Sequence, residues 1–201
     1  MTTLSSRLLT VSFLLGLMTQ LSGCGIRSIP MAKNNTEAAL SEVTNQYKRR
    51  ADLIPNLVNT VKGYAQHEEK TLTEVTEMRS RATSVTIDPS KATPEQLAQY
   101  AQAQGQLSQA LGRLLAVSEN YPQLKADQNF RDLQAQLEGT ENRITIARQR
   151  YIEAIKEYNN LITVPPTSWF NALFYKNEKM PAWDVSAEEK VKNETAPEVK
   201  F

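Results

Sequence analysis

The sequence predicts an all-α fold, an antiparallel up-and-down bundle of long helices. Three observations carry this. Apolar residues recur at steps of three and four through most of the chain. Only seven glycines occur in 201 residues, which suits long helices and disfavours a β-rich fold. Helix start and stop signals fall between the apolar stripes.

The first element is an address label. Arg7 and the amino terminus give a positive start, and Leu8 to Leu21 is an apolar stretch with polar interruptions. It falls short of the ~20 apolar residues of a comfortable transmembrane helix and has the flanks of a secretory signal, residues 1–23. It ends in Leu21-Ser22-Gly23-Cys24, which resembles the bacterial lipobox. Small residues let a peptidase approach the backbone, and the thiol accepts a diacylglycerol. The resemblance implies cleavage before Cys24, acylation, and attachment to a membrane through the lipid. Gly25 is not the Asp that commonly retains lipoproteins at the inner membrane. That implies the outer membrane, facing the periplasm, in a Gram-negative cell. An inner-membrane anchor by an uncleaved signal is the alternative. Residues 24–33 then read as the lipidated cysteine and a short tether.

The bundle is expected over residues 34–164. Its first stripe runs Leu40, Val43, Tyr47, Ala51, Ile54, Val58, Val61, Ala65, Leu72, Val75 and Ala82. Pro55 stands inside it and admits one kinked helix or a break. Lys48, Arg49 and Arg50 suit a helix end, and Asp52 suits an N-cap. With that cap, Pro55 falls at the third helical position, where its missing N–H costs nothing. A straight helix of about 50 residues would reach about 75 Å and leave its start uncovered. A break between Ala51 and Pro55 is therefore preferred, giving four helices; a first helix kinked at Pro55 would give three.

The second stripe runs Leu97, Ala101, Gln104, Leu107, Leu111, Leu114 and Ser118. Thr93-Pro94-Glu95-Gln96 opens it with a capping threonine, a proline at the first helical position and a glutamine at the third. The third runs Phe130, Leu133, Leu137, Thr140, Ile144, Ala147, Tyr151, Ala154, Tyr158 and Leu161. Asp88-Pro89, Tyr121-Pro122 and Pro165-Pro166 close the segments. Short connections make sequence neighbours antiparallel. Gly139 beside Thr140 suggests a close helix contact.

Residues 165–201 hold an aromatic segment and a mostly irregular tail. As a helix, the segment places Trp169, Phe170, Leu173 and Phe174 on one face, with Lys176 and Lys179 close behind. These four are candidate membrane-proximal residues, since aromatics beside lysines suit the headgroup layer. The alternative is a cap over the bundle core.

Composition limits the chemistry. Lys+Arg (23) nearly balances Asp+Glu (22), so no single-sign field draws the molecule to nucleic acid. One cysteine excludes an internal disulfide. One histidine without HExxH or CxxC spacing makes a zinc site unexpected, and no metal or other cofactor is expected. No serine lies in a GxSxG turn, and His67 reads as a surface histidine.

Several runs resemble the LemA family. They are Arg49-Arg50-Ala51-Asp52-Leu53-Ile54-Pro55-Asn56-Leu57-Val58 with Thr60-Val61-Lys62-Gly63-Tyr64; Leu111-Gly112-Arg113-Leu114; Asn129-Phe130; and Leu133 to Ile144. The resemblance covers roughly residues 37 to 175, and Pro197 to Phe201 has the look of that family's tail. It implies an antiparallel helical bundle at a bacterial cell envelope and brings no enzyme activity with it. Many relatives have an uncleaved N-terminal transmembrane helix, and the lipobox departs from that.

Two polar groups stand out. Arg49, Arg50, Asp52, Asn56 and Lys62 crowd the first stripe; Glu138, Glu141, Asn142 and Arg143, with Arg148, crowd the third. They read either as a groove for a ligand or partner, or as ion pairs and caps that fix helix register. The functional expectation is an interaction or scaffold protein whose partners are envelope proteins. The alternative is a non-metal enzyme or enzyme subunit using carboxylates of the third segment, Glu138 and Glu141, which share a helix face.

Overall fold

In a computed structural model, the backbone is described for residues 2–180 and the side chains for residues 27–180. Every regular element among them is helical. They are α1 (Thr2–Tyr64), α2 (Glu69–Ser84), α3 (Pro94–Val117), a 3-10 turn (Ser118–Asn120), α4 (Pro122–Ala126), α5 (Gln128–Thr163), α6 (Thr167–Phe170) and a π-turn (Asn171–Tyr175). Among the described residues, no helix is long and apolar enough to cross a membrane.

The chain forms two compact units. One spans Ala39–Tyr151; the other joins the chain up to Ala38 with residues 152–180.

In the Ala39–Tyr151 unit, the core is Ile54, Leu57, Val61 and Ala65 of the first helix, Leu72, Val75 and Ala82 of α2, Leu107, Ala110, Leu111 and Leu114 of α3, and Leu124, Phe130 and Leu137 beyond. The expected stripes are buried, with a drift of one residue in places: Leu57 rather than Val58, and Tyr100 rather than Ala101. An α-helix advances 3.6 residues per turn, so a stripe written at steps of 3.5 slides off the buried face. Cross-helix bonds fix the directions. Arg50 bonds Glu141 and Tyr64 bonds Asp127, so α1 and α5 run antiparallel. Glu74 pairs with Arg113, and Gln104 reaches the Ala82 carbonyl, so α2 and α3 do too.

The expected break at Ala51–Pro55 is absent. Helix α1 continues through Pro55 to Tyr64, and the chain reverses at residues 65–68. Pro55 brings no N–H to the Ala51 carbonyl, the partner it would have in a helix. Arg79 supplies the missing donor: its Nε lies 2.8 Å from that oxygen. The basic run is not a helix end, because Arg50 is buried among other helices, and Asp52 is an exposed mid-helix residue rather than a cap. Four main helices result all the same, α1, α2, α3 and α5, because the stripe hides its own turn. Ala65 and Leu72 are both buried and one heptad apart, so the apolar phase crosses the reversal unbroken.

Other boundaries follow the sequence. Gln96 N–H donates to Thr93 Oγ1 (3.2 Å) and Thr93 N–H to Gln96 Oε1 (3.1 Å), a reciprocal cap with Pro94 behind it. Asp127 accepts the Phe130 N–H at 2.9 Å and caps α5. That bond, with the Tyr64 hydroxyl, holds its carboxyl below the usual range. Gly139 is not a close contact: a Cβ there would meet nothing within 4 Å.

The second unit has a small core of Ile29 and Ala32 from α1 with Tyr158 and Ile162 from α5. Residues 25–33, expected as a tether, are therefore helical, and two of them are core. The tail from residue 181 lies outside the described residues.

Candidate functional site

The Ala39–Tyr151 unit is built around a buried arginine. Arg50 faces inward from α1 and is 1% exposed. A buried guanidinium needs acceptors for its donors, and two other helices, α3 and α5, supply them. Nη1 donates to Ser108 Oγ at 2.6 Å and to Glu141 Oε1 at 2.7 Å. Nη2 donates to the Gln104 carbonyl at 3.0 Å and to Gln104 Oε1 at 2.7 Å. The Nε has no hydrogen-bond partner among the described residues. The Tyr47 ring lies 4.9 Å from the guanidinium carbon, a cation–π contact, and meets Tyr100 edge-on at 5.5 Å. Gln104 turns its amide to the Ala82 carbonyl near the end of α2, at 3.2 Å. One side chain thus ties α1 to α3 and α5, and Gln104 ties α2 to the same point.

Beside this centre is a cleft of about 350 Å³ between α1, the end of α2 and α3. The buried residues that line it are Tyr47, Ala51, Ala82, Tyr100 and Gln104. Lys48 and Asp52 lie at its exposed edge on α1, and Thr83 in the last turn of α2 with Val85, Thr86 and Ile87 after it border the other edge. Burial pushes the Tyr100 hydroxyl well above its usual range, although Arg50 pulls the other way. The Tyr100 phenol is therefore neutral at neutral pH.

Of the expected polar residues, the fold brings Arg50 and Glu141 together and sets Asp52 on the cleft. Arg49, Asn56, Asn142 and Arg143 are exposed on their helices. Lys62 borders a different groove, with Val58, Gln66, Glu69 and Leu72. Glu138 is exposed and accepts from Gln134 at 2.9 Å, one turn earlier. Glu138 and Glu141 thus have separate partners and do not converge on the cleft. His67 is exposed in the turn after α1. Among the described residues, no group of His, Cys, Asp and Glu could hold a metal ion.

Sequence reasoning missed Ser108, Tyr100 and the role of Gln104. The visible signal was a glutamine set between apolar residues in the middle of the second stripe, the mark of a buried polar contact.

Fold and centre define a class: all-helical antiparallel bundles pinned by a buried polar network. The chain belongs to the LemA family, whose model matches residues 39–201. It is 25% identical over 144 residues to the Protein LemA of Metamycoplasma hominis. The match covers 72% of this chain and spans about 61% of that relative's length.

Proposed function

We propose that the protein is a lipid-tethered bundle of the bacterial cell envelope, acting as an interaction or scaffold protein with other envelope proteins as partners. The observation that carries the tether is the Leu21-Ser22-Gly23-Cys24 motif at the end of a signal-length apolar stretch. Ile29, five positions after Cys24, is a buried core residue, so a lipid on Cys24 lies close to the folded body. The lipobox supplies the acylation site, and the bilayer is the outer membrane in a Gram-negative cell.

The cleft is the contact point for a partner. Lys48 and Asp52 at its exposed edge offer charged groups for selection, in front of a floor made by the buried Tyr47 and Tyr100.

Intact mass of the membrane-extracted protein tests the tether. A chain starting at an acylated Cys24 is expected; a full-length or unacylated chain overturns it. Co-purification from native membranes in gentle detergent tests the cleft. Lys48→Glu with Asp52→Lys, both at exposed positions, should lose a partner that the parent retains. An unchanged partner set overturns the cleft as the contact.

A further inference from the structure

The chain beyond α5 is held in place by polar bonds while its largest apolar side chains remain in solvent. Asn159 on α5 grips Met180 reciprocally: its Nδ2 donates to the Met180 carbonyl, and the Met180 N–H donates to Oδ1, both at 2.9 Å. The buried Asn171 grips Asn177 in the same manner, with both bonds at 3.0 Å. Lys176 is left-handed (φ 52°), and its N–H reaches the Asn171 carbonyl at 2.7 Å. Tyr175 and Met180 pack on the core of Ile29, Ala32, Tyr158 and Ile162.

Between these fixed points, Trp169, Leu173 and Phe174 are 63%, 73% and 66% exposed. The Phe170 ring stacks on Phe174 at 6.4 Å and steadies it. A lid over the bundle core would bury these groups. Here the platform is ordered and the apolar groups point away from it, the arrangement of a surface shaped for something else to cover.

We propose that Trp169, Leu173 and Phe174 form a second membrane contact that enters the headgroup layer of the bilayer holding the Cys24 lipid. The choice of bilayer rests on the lipid-tether reading above. Two observations select a lipid surface as the occupant. Exposed Lys176 and Lys179 flank the apolar groups, the pairing that suits phosphate headgroups above acyl chains. The segment also belongs to the same compact unit as the α1 residues around Cys24, and Ile162, in the last turn of α5, shares a core with Ile29. A lipid alone leaves the body free to swing; a second contact fixes which face it turns to the membrane.

The test uses the unlipidated Cys24→Ser mature chain with Trp183→Phe, which leaves Trp169 as the one fluorophore of its kind. Adding vesicles of zwitterionic lipid with a minority of anionic lipid should shift Trp169 emission to the blue, and brominated acyl chains should quench it. Leu173→Ser with Phe174→Ser should weaken vesicle binding at least about tenfold. Helical circular dichroism and melting should not change, because both residues are exposed. No shift and no quenching overturns the proposal. So does binding that the serine pair leaves intact, which would be lysine electrostatics alone. The mass measurement above is independent. Acylated protein with an unquenched Trp169 removes this contact and leaves the tether, and the reverse result removes the tether and leaves the contact.

Discussion

Arg79 donates to the Ala51 carbonyl, the oxygen that Pro55 leaves without a helical partner. This bond lets a proline sit in the middle of a long helix. Without it, a carbonyl on a residue 2% exposed would be unpaired. An unpaired buried polar group costs about 1–3 kcal/mol. Arg79→Met should destabilise by that amount in urea unfolding. Pro55→Ala restores an N–H at the right place, so Arg79→Met should cost clearly less in that background. Equal costs in both backgrounds would mean that the arginine does not act through the proline's missing donor.

The same pair shows what a linear reading reaches. The capping box at Thr93 was legible because all its parts lie within four residues. The continuation through Pro55 was not, because its cause is a side chain 28 positions away on another helix. The turn at residues 65–68 was masked by the heptad from Ala65 to Leu72, whose phase survives the reversal. Arg50 and Glu141 were both singled out, yet sequence spacing does not say that residues 91 apart meet. Their neighbours Arg49 and Arg143 carry the same guanidinium as Arg50 but face solvent. Which charged residue turns inward depends on helix rotation within the bundle, and that is set by packing.

The Arg50 centre should respond unequally to loss of its partners. Glu141 is 46% exposed at its side chain, so water screens its share, and Glu141→Gln should cost under about 1 kcal/mol. Gln104 is buried and serves both Arg50 and the Ala82 carbonyl. Gln104→Leu strips an acceptor from a buried cation and a donor from a carbonyl, and should cost about 1.5–3 kcal/mol. Urea titrations of the two variants check the order; equal effects would argue against a desolvated guanidinium.

Gly112 and Gly139 offer a gain. Both lie inside helices, and a Cβ at either meets nothing within 4 Å. Glycine is entropically unfavourable in a helix interior, so each change to alanine should stabilise by about 0.5–1 kcal/mol. The two sites have no packing to disturb, and thermal melts of the single and double variants should add. A loss at Gly139 would restore the close-contact reading.

Alkaline pH should loosen the bundle through its buried phenols. Burial raises the Tyr151 hydroxyl from 10.0 to about 12, and it raises Tyr100 and Tyr158 as well. In the folded chain these groups hold their protons to higher pH than in the unfolded chain. Their contribution to stability is therefore complete below pH 10, and it is lost as pH rises from there through about 12, because the unfolded state ionises first. Unfolding followed by circular dichroism should move in step with a rise in tyrosinate absorbance over that window. Tyr151→Phe removes a hydroxyl without removing the ring, so the variant should unfold at higher pH than the parent. If its alkaline midpoint falls instead, the hydroxyl is held by a bond worth more to the fold than the proton it retains.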